Sequence, residues 1–152
     1  MDAGTVDPAE VLIDGGAVDA DVRRVSSIEV DAETLATVEA TLDAARARIG
    51  QAFGVAISGR EGAGLLRYAA GGFYLPHVDC ADSEEWPDAA RRRIAVVVFL
   101  NESFGGGALH IIGEERRIRG VTGRLVAFDA ALLHEVEPVT RGTRDVIVDW
   151  FY

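Results

Sequence analysis

The chain contains three histidines, His77, His110 and His134, and the first stands two residues before an aspartate, Asp79. In an extended strand, residues i and i+2 project to the same side. The His77 imidazole and the Asp79 carboxylate can therefore be offered to one point. A second imidazole from a distant strand would complete a set of two histidines and one carboxylate. Such a set fills three adjacent coordination positions and leaves three open, which suits Fe(II) and reaction with O2. His134 is the better third member, because it heads a candidate strand behind the apolar run 130–133. A turn closed by a satisfied salt bridge also explains His77 and Asp79, and the dipeptide spacing does not decide between the two. His110 reads as an ordinary strand residue, near the surface or hydrogen-bonded.

The elements that must position these groups follow from hydrophobic periodicity. Leu35, Val38, Leu42, Ala45 and Ile49 recur at helical spacing. With Asp31 as N-cap they predict one amphipathic helix over 31–50, stopped by Gly50 and Gly54. Before it, 22–30 reads as a weak strand. After Gly54 the segments become short, β-branched and aromatic, with Gly or Pro between them. The spacing predicts strands over 64–70, 73–78, 93–101, 108–112, 116–119, 124–130, 134–139 and 144–151. The expected class is mostly β with an N-terminal helix, its core an antiparallel double sheet or jelly roll.

Length and composition bound the rest. The chain has 152 residues, which suits a single domain, 1–152, with its jelly-roll core over about 63–152. The first ten residues are polar and are expected to be poorly ordered. No stretch approaches the roughly 20 apolar residues that span a bilayer. Residues 1–14 are acidic and do not read as a secretory leader, so a cytoplasmic protein is expected. Cys80 is the one cysteine, which excludes an intrachain disulfide and a cysteine-based zinc site. The formal charge of −10 argues against a general nucleic-acid binder. Nothing in the sequence bears on oligomeric state.

The order of motifs resembles the prolyl 4-hydroxylase-like branch of the 2-oxoglutarate/Fe(II) oxygenases. That family's pattern is a Tyr, a Gly-rich turn, His-x-Asp, a Gly-Gly pair, a distal His and a basic residue ten positions later. Here these read Tyr68, Gly71-Gly72, His77-Val78-Asp79, Gly106-Gly107, His134 and Arg144. The resemblance covers roughly residues 22–152 and implies a double-stranded β-helix. It implies that His77, Asp79 and His134 bind Fe(II), with 2-oxoglutarate and O2 as cosubstrates and ascorbate as an admissible addition. Arg144 would hold the far carboxylate of 2-oxoglutarate with a permanently charged fork, and Tyr68 would donate its hydroxyl to the same group. Val146, Val148 and Trp150 share Arg144's face by alternation and would keep that pocket dry. The implied reaction hydroxylates a small molecule, an amino acid or a protein side chain, releasing succinate and CO2. Ala108 and Leu109 stand after Gly106-Gly107, where prolyl hydroxylases often carry Glu and Thr, so peptidyl proline is not implied.

Competing readings are a cupin-type metal enzyme that does not use 2-oxoglutarate and a non-catalytic jelly roll that binds a ligand. The basic residue ten positions past His134 argues against the first, and the intact triad against the second. Arg144 has a structural alternative, an ion pair with Asp129, Asp145 or Asp149. Tyr68 has one as a buried sheet aromatic. The loop over 80–92 follows Asp79 directly, and Trp86 within it is either a lid residue touching substrate or an anchor. Cys80 reads as a small packing residue, and Arg91, Arg92 and Arg93 as a solvated edge that offsets nearby carboxylates.

Overall fold

The computed structural model describes residues 6–8, 20–82 and 87–152. In chain order its elements begin with β1 (Val6–Pro8), β2 (Arg23–Arg24), β3 (Ser26–Ile28), α1 (Ala32–Phe53), β4 (Gly64–Tyr68), β5 (Phe73–His77) and α2 (Pro87–Arg91). They continue with β6 (Ile94–Phe99), β7 (Gly105–Gly106), β8 (Leu109–Ile111), a 3-10 turn (Ile112–Glu114), β9 (Arg116–Ile118) and β10 (Leu125–Asp129). β11 (His134–Val136), β12 (Val139–Arg141) and β13 (Arg144–Phe151) close the chain. The larger sheet runs β1-β3-β4-β13-β6-β10 and the smaller β2-β5-β11-β8-β9, while β12 and β7 form a separate ribbon. The two sheets face each other as the expected jelly roll.

Between the sheets lies one apolar core. Leu66, Tyr68, Val97, Phe99 and Val146 of the larger sheet meet Leu109, Ile111 and Val136 of the smaller. A second core covers the larger sheet's outer face, where Leu42 and Ile49 of α1 pack on Leu65, Ile94, Val96, Ile147 and Phe151. Burial on both faces explains why β6 reads Ile-Ala-Val-Val-Val-Phe with no polar alternation. Each fully buried aliphatic side chain contributes about 1.5–3 kcal/mol. Arg60 adds a polar tether, reaching Glu39 and Asp43 on α1 and the buried Asp149 on β13.

Several boundaries differ from the sequence reading, each for a local reason. Asp31 does cap α1, its carboxylate accepting from the Thr34 N–H at 2.7 Å. The helix then runs three residues past Gly50, ending at Gly54, whose φ of 66° gives the left-handed cap. Gly50 is instead where the returning chain docks, the Val55 N–H donating to its carbonyl. Leu35 remains exposed although it shares the spacing of the buried positions. The weak strand over 22–30 is two strands, because the chain crosses from the smaller sheet to the larger at the buried Val25. The segment 134–139 breaks at Pro138, which has no N–H for the ladder, and Val139 then pairs with Gly106, which lies outside the expected strands. The expectation for residues 1–10 lies outside the described residues, apart from the pairing of β1 with β3.

Candidate active site

His77 ends β5 and His134 begins β11, and these two strands are hydrogen-bonded neighbours with His134 directly opposite His77. Their rings stand 4.2 Å apart between centroids. The next pair in the ladder is Val136 with Tyr74, so two steps on β11 oppose three on β5. That bulge turns both Tyr74 and His77 inward while Leu75 and Pro76 stay exposed. Tyr74 stacks on His77 at 3.5 Å, and Phe128 meets His134 edge-on at 4.7 Å. Each imidazole is also fixed by a hydrogen bond, His77 Nδ1 to the Leu75 carbonyl at 2.7 Å and His134 Nδ1 to the Leu132 carbonyl at 2.8 Å. A carbonyl only accepts, so both Nδ1 atoms carry the proton and both Nε2 atoms offer a lone pair.

Asp79 completes the cluster from a loop. The strand expected to reach residue 78 ends at His77, so strand alternation is not what aims Asp79. The Asp79 and Cys80 N–H groups both donate to the Ala130 carbonyl, at 2.9 and 3.0 Å, and this clip turns the carboxylate inward. Asp79 Oδ1 lies 3.5 Å from His77 Nε2, and Oδ2 lies 3.5 Å from His134 Nε2. All three donor atoms fall within 4.8 Å of one another. Burial pushes the Asp79 carboxyl up, but its two imidazole neighbours, His77 and His134, outweigh that and hold it below the usual carboxylate range. Burial is also the largest influence on His134 and pushes it down, with Asp79 opposing, so this imidazole is neutral near pH 7.

Arg144 opens β13 directly opposite Tyr68 on β4. It is 1% exposed, and its guanidinium lies 4.9 Å from the Tyr68 ring centroid and 5.1 Å from that of Phe99. The carboxylates that offered a structural explanation are engaged elsewhere. Asp145 pairs with Arg67, Asp149 with Arg60, and Asp129 accepts from the Ala131 N–H. Arg144 Nε is buried with no hydrogen-bond partner, and among the described residues the side chain has no ion pair. Burial accordingly drives its pKa down from the ordinary arginine value, with Tyr68 opposing.

These groups share one cavity of about 550 Å³, lined by Tyr68, His77, Asp79, His134, Arg144 and Trp150 among others. Two further lining residues were not legible as site residues. Arg92 was read as part of a solvated edge, yet it is half-buried, stacks on the Trp150 ring at 3.7 Å and donates twice to Glu61. Glu61 was not singled out at all, since no local motif marks it. His110 is confirmed as a hydrogen-bonded strand residue, paired with Glu135 at 2.7 Å, while the neighbouring Glu137 is bound by Arg117. Cys80 makes only a weak 3.8 Å contact to the Ala90 carbonyl. Trp86 lies outside the described residues; the later part of its loop forms α2.

Two imidazoles and a carboxylate converge at one part of the cavity, and an unpaired guanidinium waits at another. The donor set suits Fe(II), and the orphaned Arg144 suits an anion, so the residues present fit an iron centre with an acidic cosubstrate. Comparison with known proteins agrees. Residues 63–152 match the family model of the 2OG-Fe(II) oxygenase superfamily. The chain belongs to that superfamily, in its prolyl 4-hydroxylase-like branch. It is 35% identical over 88 residues to a PKHD-type hydroxylase of Sphingopyxis alaskensis, covering 55% of this chain and 40% of that protein. It is 37% identical over 87 residues to a PKHD-type hydroxylase of a Synechococcus strain, covering 55% of this chain and 39% of that one. The chain thus spans about two fifths of the length of these relatives. Among solved structures, a Pseudomonas putida prolyl-4-hydroxylase matches with a TM-score of 0.70 at 27% identity, over 87% of this chain and 73% of that one. A viral collagen prolyl hydroxylase from Paramecium bursaria Chlorella virus-1 shares the fold, with a TM-score of 0.64 at 18% identity over 85% of this chain and 77% of that one.

Proposed function

We propose that this protein is a 2-oxoglutarate- and O2-dependent hydroxylase with an iron site made by His77, Asp79 and His134. The observation that carries the reading is the pairing of a metal-competent donor set with an unpartnered buried guanidinium in one cavity. The PKHD-type hydroxylases and the Pseudomonas putida prolyl-4-hydroxylase that the chain resembles support it. Residues 1–152 are read as one oxygenase domain. When bound, Fe(II) and 2-oxoglutarate supply the oxidation: O2 is consumed, the cosubstrate leaves as succinate and CO2, and one oxygen atom enters a substrate C–H bond.

The chain's own residues bind, orient and shield. His77 and His134 present Nε2 lone pairs because the Leu75 and Leu132 carbonyls hold their Nδ1 protons. Asp79 supplies the negative charge and stays ionised at neutral pH. Arg144 would hold the far carboxylate of 2-oxoglutarate with its guanidinium, and Tyr68, across the ladder from it, would donate its hydroxyl to the same group. Val146 and Val148 line the same cavity and exclude water around that ion pair. The substrate is read as a small molecule, an amino acid or a protein side chain. A cytoplasmic setting belongs to the same reading, since a reducing compartment suits both Fe(II) and the lone Cys80. Among the described residues no helix is long and apolar enough to cross a membrane.

The test is anaerobic titration of the metal-free protein with Fe(II) and 2-oxoglutarate, followed by the weak visible charge-transfer band of the chelate. The band should require both components and vanish in His134→Ala, and a substrate screen by succinate release then follows. Absence of the band, with no thermal stabilisation by either ligand, would favour a ligand-binding jelly roll instead.

A further inference from the structure

Two groups beside the donor cluster lack the partner they need. The first is Trp150 Nε1, buried without a hydrogen bond of normal geometry. The second is one oxygen of Asp79. Its two carboxylate oxygens each face an imidazole Nε2 at 3.5 Å. With both Nδ1 protons committed to backbone carbonyls, those Nε2 atoms are lone pairs and donate nothing. A metal held by the three groups takes one Asp79 oxygen. The other, on a side chain only 12% exposed, is then a charged acceptor without a donor. Trp150 and Asp79 line the same cavity, and Arg92 touches both, its guanidinium over the indole and its Nη1 on the Asp79 carbonyl.

Trp150 is held through its backbone and its ring. Its backbone N–H donates to Asp149 Oδ1 at 2.7 Å, and its carbonyl accepts from the Glu61 N–H at 2.9 Å. Asp149 is fully buried and anchored by Arg60 Nη1 at 2.7 Å and the Gly62 N–H at 2.9 Å. Over the indole ring lies the Arg92 guanidinium, 3.7 Å from the centroid and gripped by both Glu61 oxygens at 2.6 and 2.5 Å. Arg92 Nη1 also donates to the Asp79 backbone carbonyl at 3.3 Å. The Glu61–Arg92 pair therefore touches both the ring and the ligand-bearing residue.

We infer that Trp150, clamped by Arg92 and Glu61, is a positioning residue that hydrogen-bonds the non-ligating oxygen of Asp79 and so holds this carboxylate in one-oxygen coordination. The inference rests on the metal reading above. Hydrogen bonds to a ligating carboxylate orient it, and their loss typically weakens metal binding about 10- to 100-fold. Trp150→Phe keeps an aromatic ring for Arg92 and removes the N–H, with a smaller ring system in its place.

The experiment measures Mn(II) affinity by the electron paramagnetic resonance signal of free Mn(II), and the visible ligand-field spectrum with Co(II). It uses the parent, Trp150→Phe, Arg92→Gln and Asp79→Ala, with thermal unfolding of each metal-free protein as the control for folding. Trp150→Phe should bind Mn(II) about 10- to 100-fold more weakly. Its Co(II) bands should also lose intensity as Asp79 turns to two-oxygen coordination. Arg92→Gln, which leaves the indole but loosens it, should fall between. Parent-like affinity and an unchanged Co(II) spectrum in Trp150→Phe would overturn the inference while leaving the metal site standing. Should the parent bind no metal, or Asp79→Ala bind as well as the parent, the metal reading itself fails and the inference with it.

Discussion

Replacing Arg144 with methionine should make the metal-free protein more stable and its cosubstrate binding far weaker. Arg144 is 1% exposed, and among the described residues its Nε has no partner while the faces of Tyr68 and Phe99 lie near its charge. Two such ring contacts offset about 1–4 kcal/mol at most, against an effective desolvation cost of several kcal/mol for a buried ion. Exchanging buried charge for an apolar chain of similar length commonly gains about 1–4 kcal/mol, and here no carboxylate is left stranded by the change. Binding should move the other way. Removing one partner of a buried, hydrogen-bonded charge pair costs about 2–5 kcal/mol. At 1.4 kcal/mol per tenfold, 2-oxoglutarate should bind about 30-fold to several-thousand-fold more weakly. Calorimetric titration of 2-oxoglutarate into the Mn(II)-loaded variant measures the second effect, and urea unfolding of the metal-free form measures the first. A variant that is less stable than the parent and keeps full affinity for 2-oxoglutarate would show that Arg144 is a structural ion and refute the reasoning.

Gly107 has φ of 63°, and a Cβ there would sit 3.1 Å from Arg144 Cδ and 3.0 Å from Val139 Cγ2. Gly107→Ala should therefore weaken 2-oxoglutarate binding by displacing Arg144, beyond a backbone cost of about 1–2 kcal/mol in unfolding; equal affinities in parent and variant would sever the two effects. Arg60→Met strands the fully buried Asp149 and should cost about 3–5 kcal/mol in chemical denaturation, and the idea is lost if the midpoint does not move. The metal-free protein should lose stability as pH falls below about 6.5, because the unfolded chain then binds a proton that burial denies to the depressed His134 in the folded state. Asp79, whose folded pKa is lowered, adds a second loss at more acid pH, below the ordinary carboxylate value. Denaturation midpoints at successive pH values should show the first loss in the parent and not in His134→Gln.

The fold was legible wherever one face of an element is buried and its pattern has a clear period. β13 was read at its observed limits, 144–151, because its run from Val146 to Phe151 is apolar at every position but Asp149, as a strand covered on both faces should be. Legibility failed where long-range contacts overrode local pattern. Leu35 has helical spacing but is exposed and lies outside the cluster that α1 makes with the larger sheet. The ribbon of β7 and β12 joins a diglycine to the segment after Pro138, and nothing in a Gly-Gly pair announces a strand. The bulge in β5 is similarly silent, yet it decides that Tyr74 and His77, three residues apart, face the same cavity.

At the site, the chemistry-bearing residues were visible because their types are rare and their order is informative, with three histidines and one His-x-Asp in the chain. What aims them was not. The clip from Ala130 to Asp79 is a pair of backbone hydrogen bonds, which any side chain permits. The clamp on Trp150 gathers residues 60–62, 92 and 149, drawn from three distant stretches, with Arg60 and Glu61 carried in a short loop and Arg92 in a run of arginines. An arginine run looks like solvated charge, and only the burial of Asp79 and Trp150 converts one member into a structural cation. Ligand identity is thus written locally, whereas ligand orientation is a property of packing between segments, and the variants of Trp150, Arg92 and Arg60 probe that second, non-local layer.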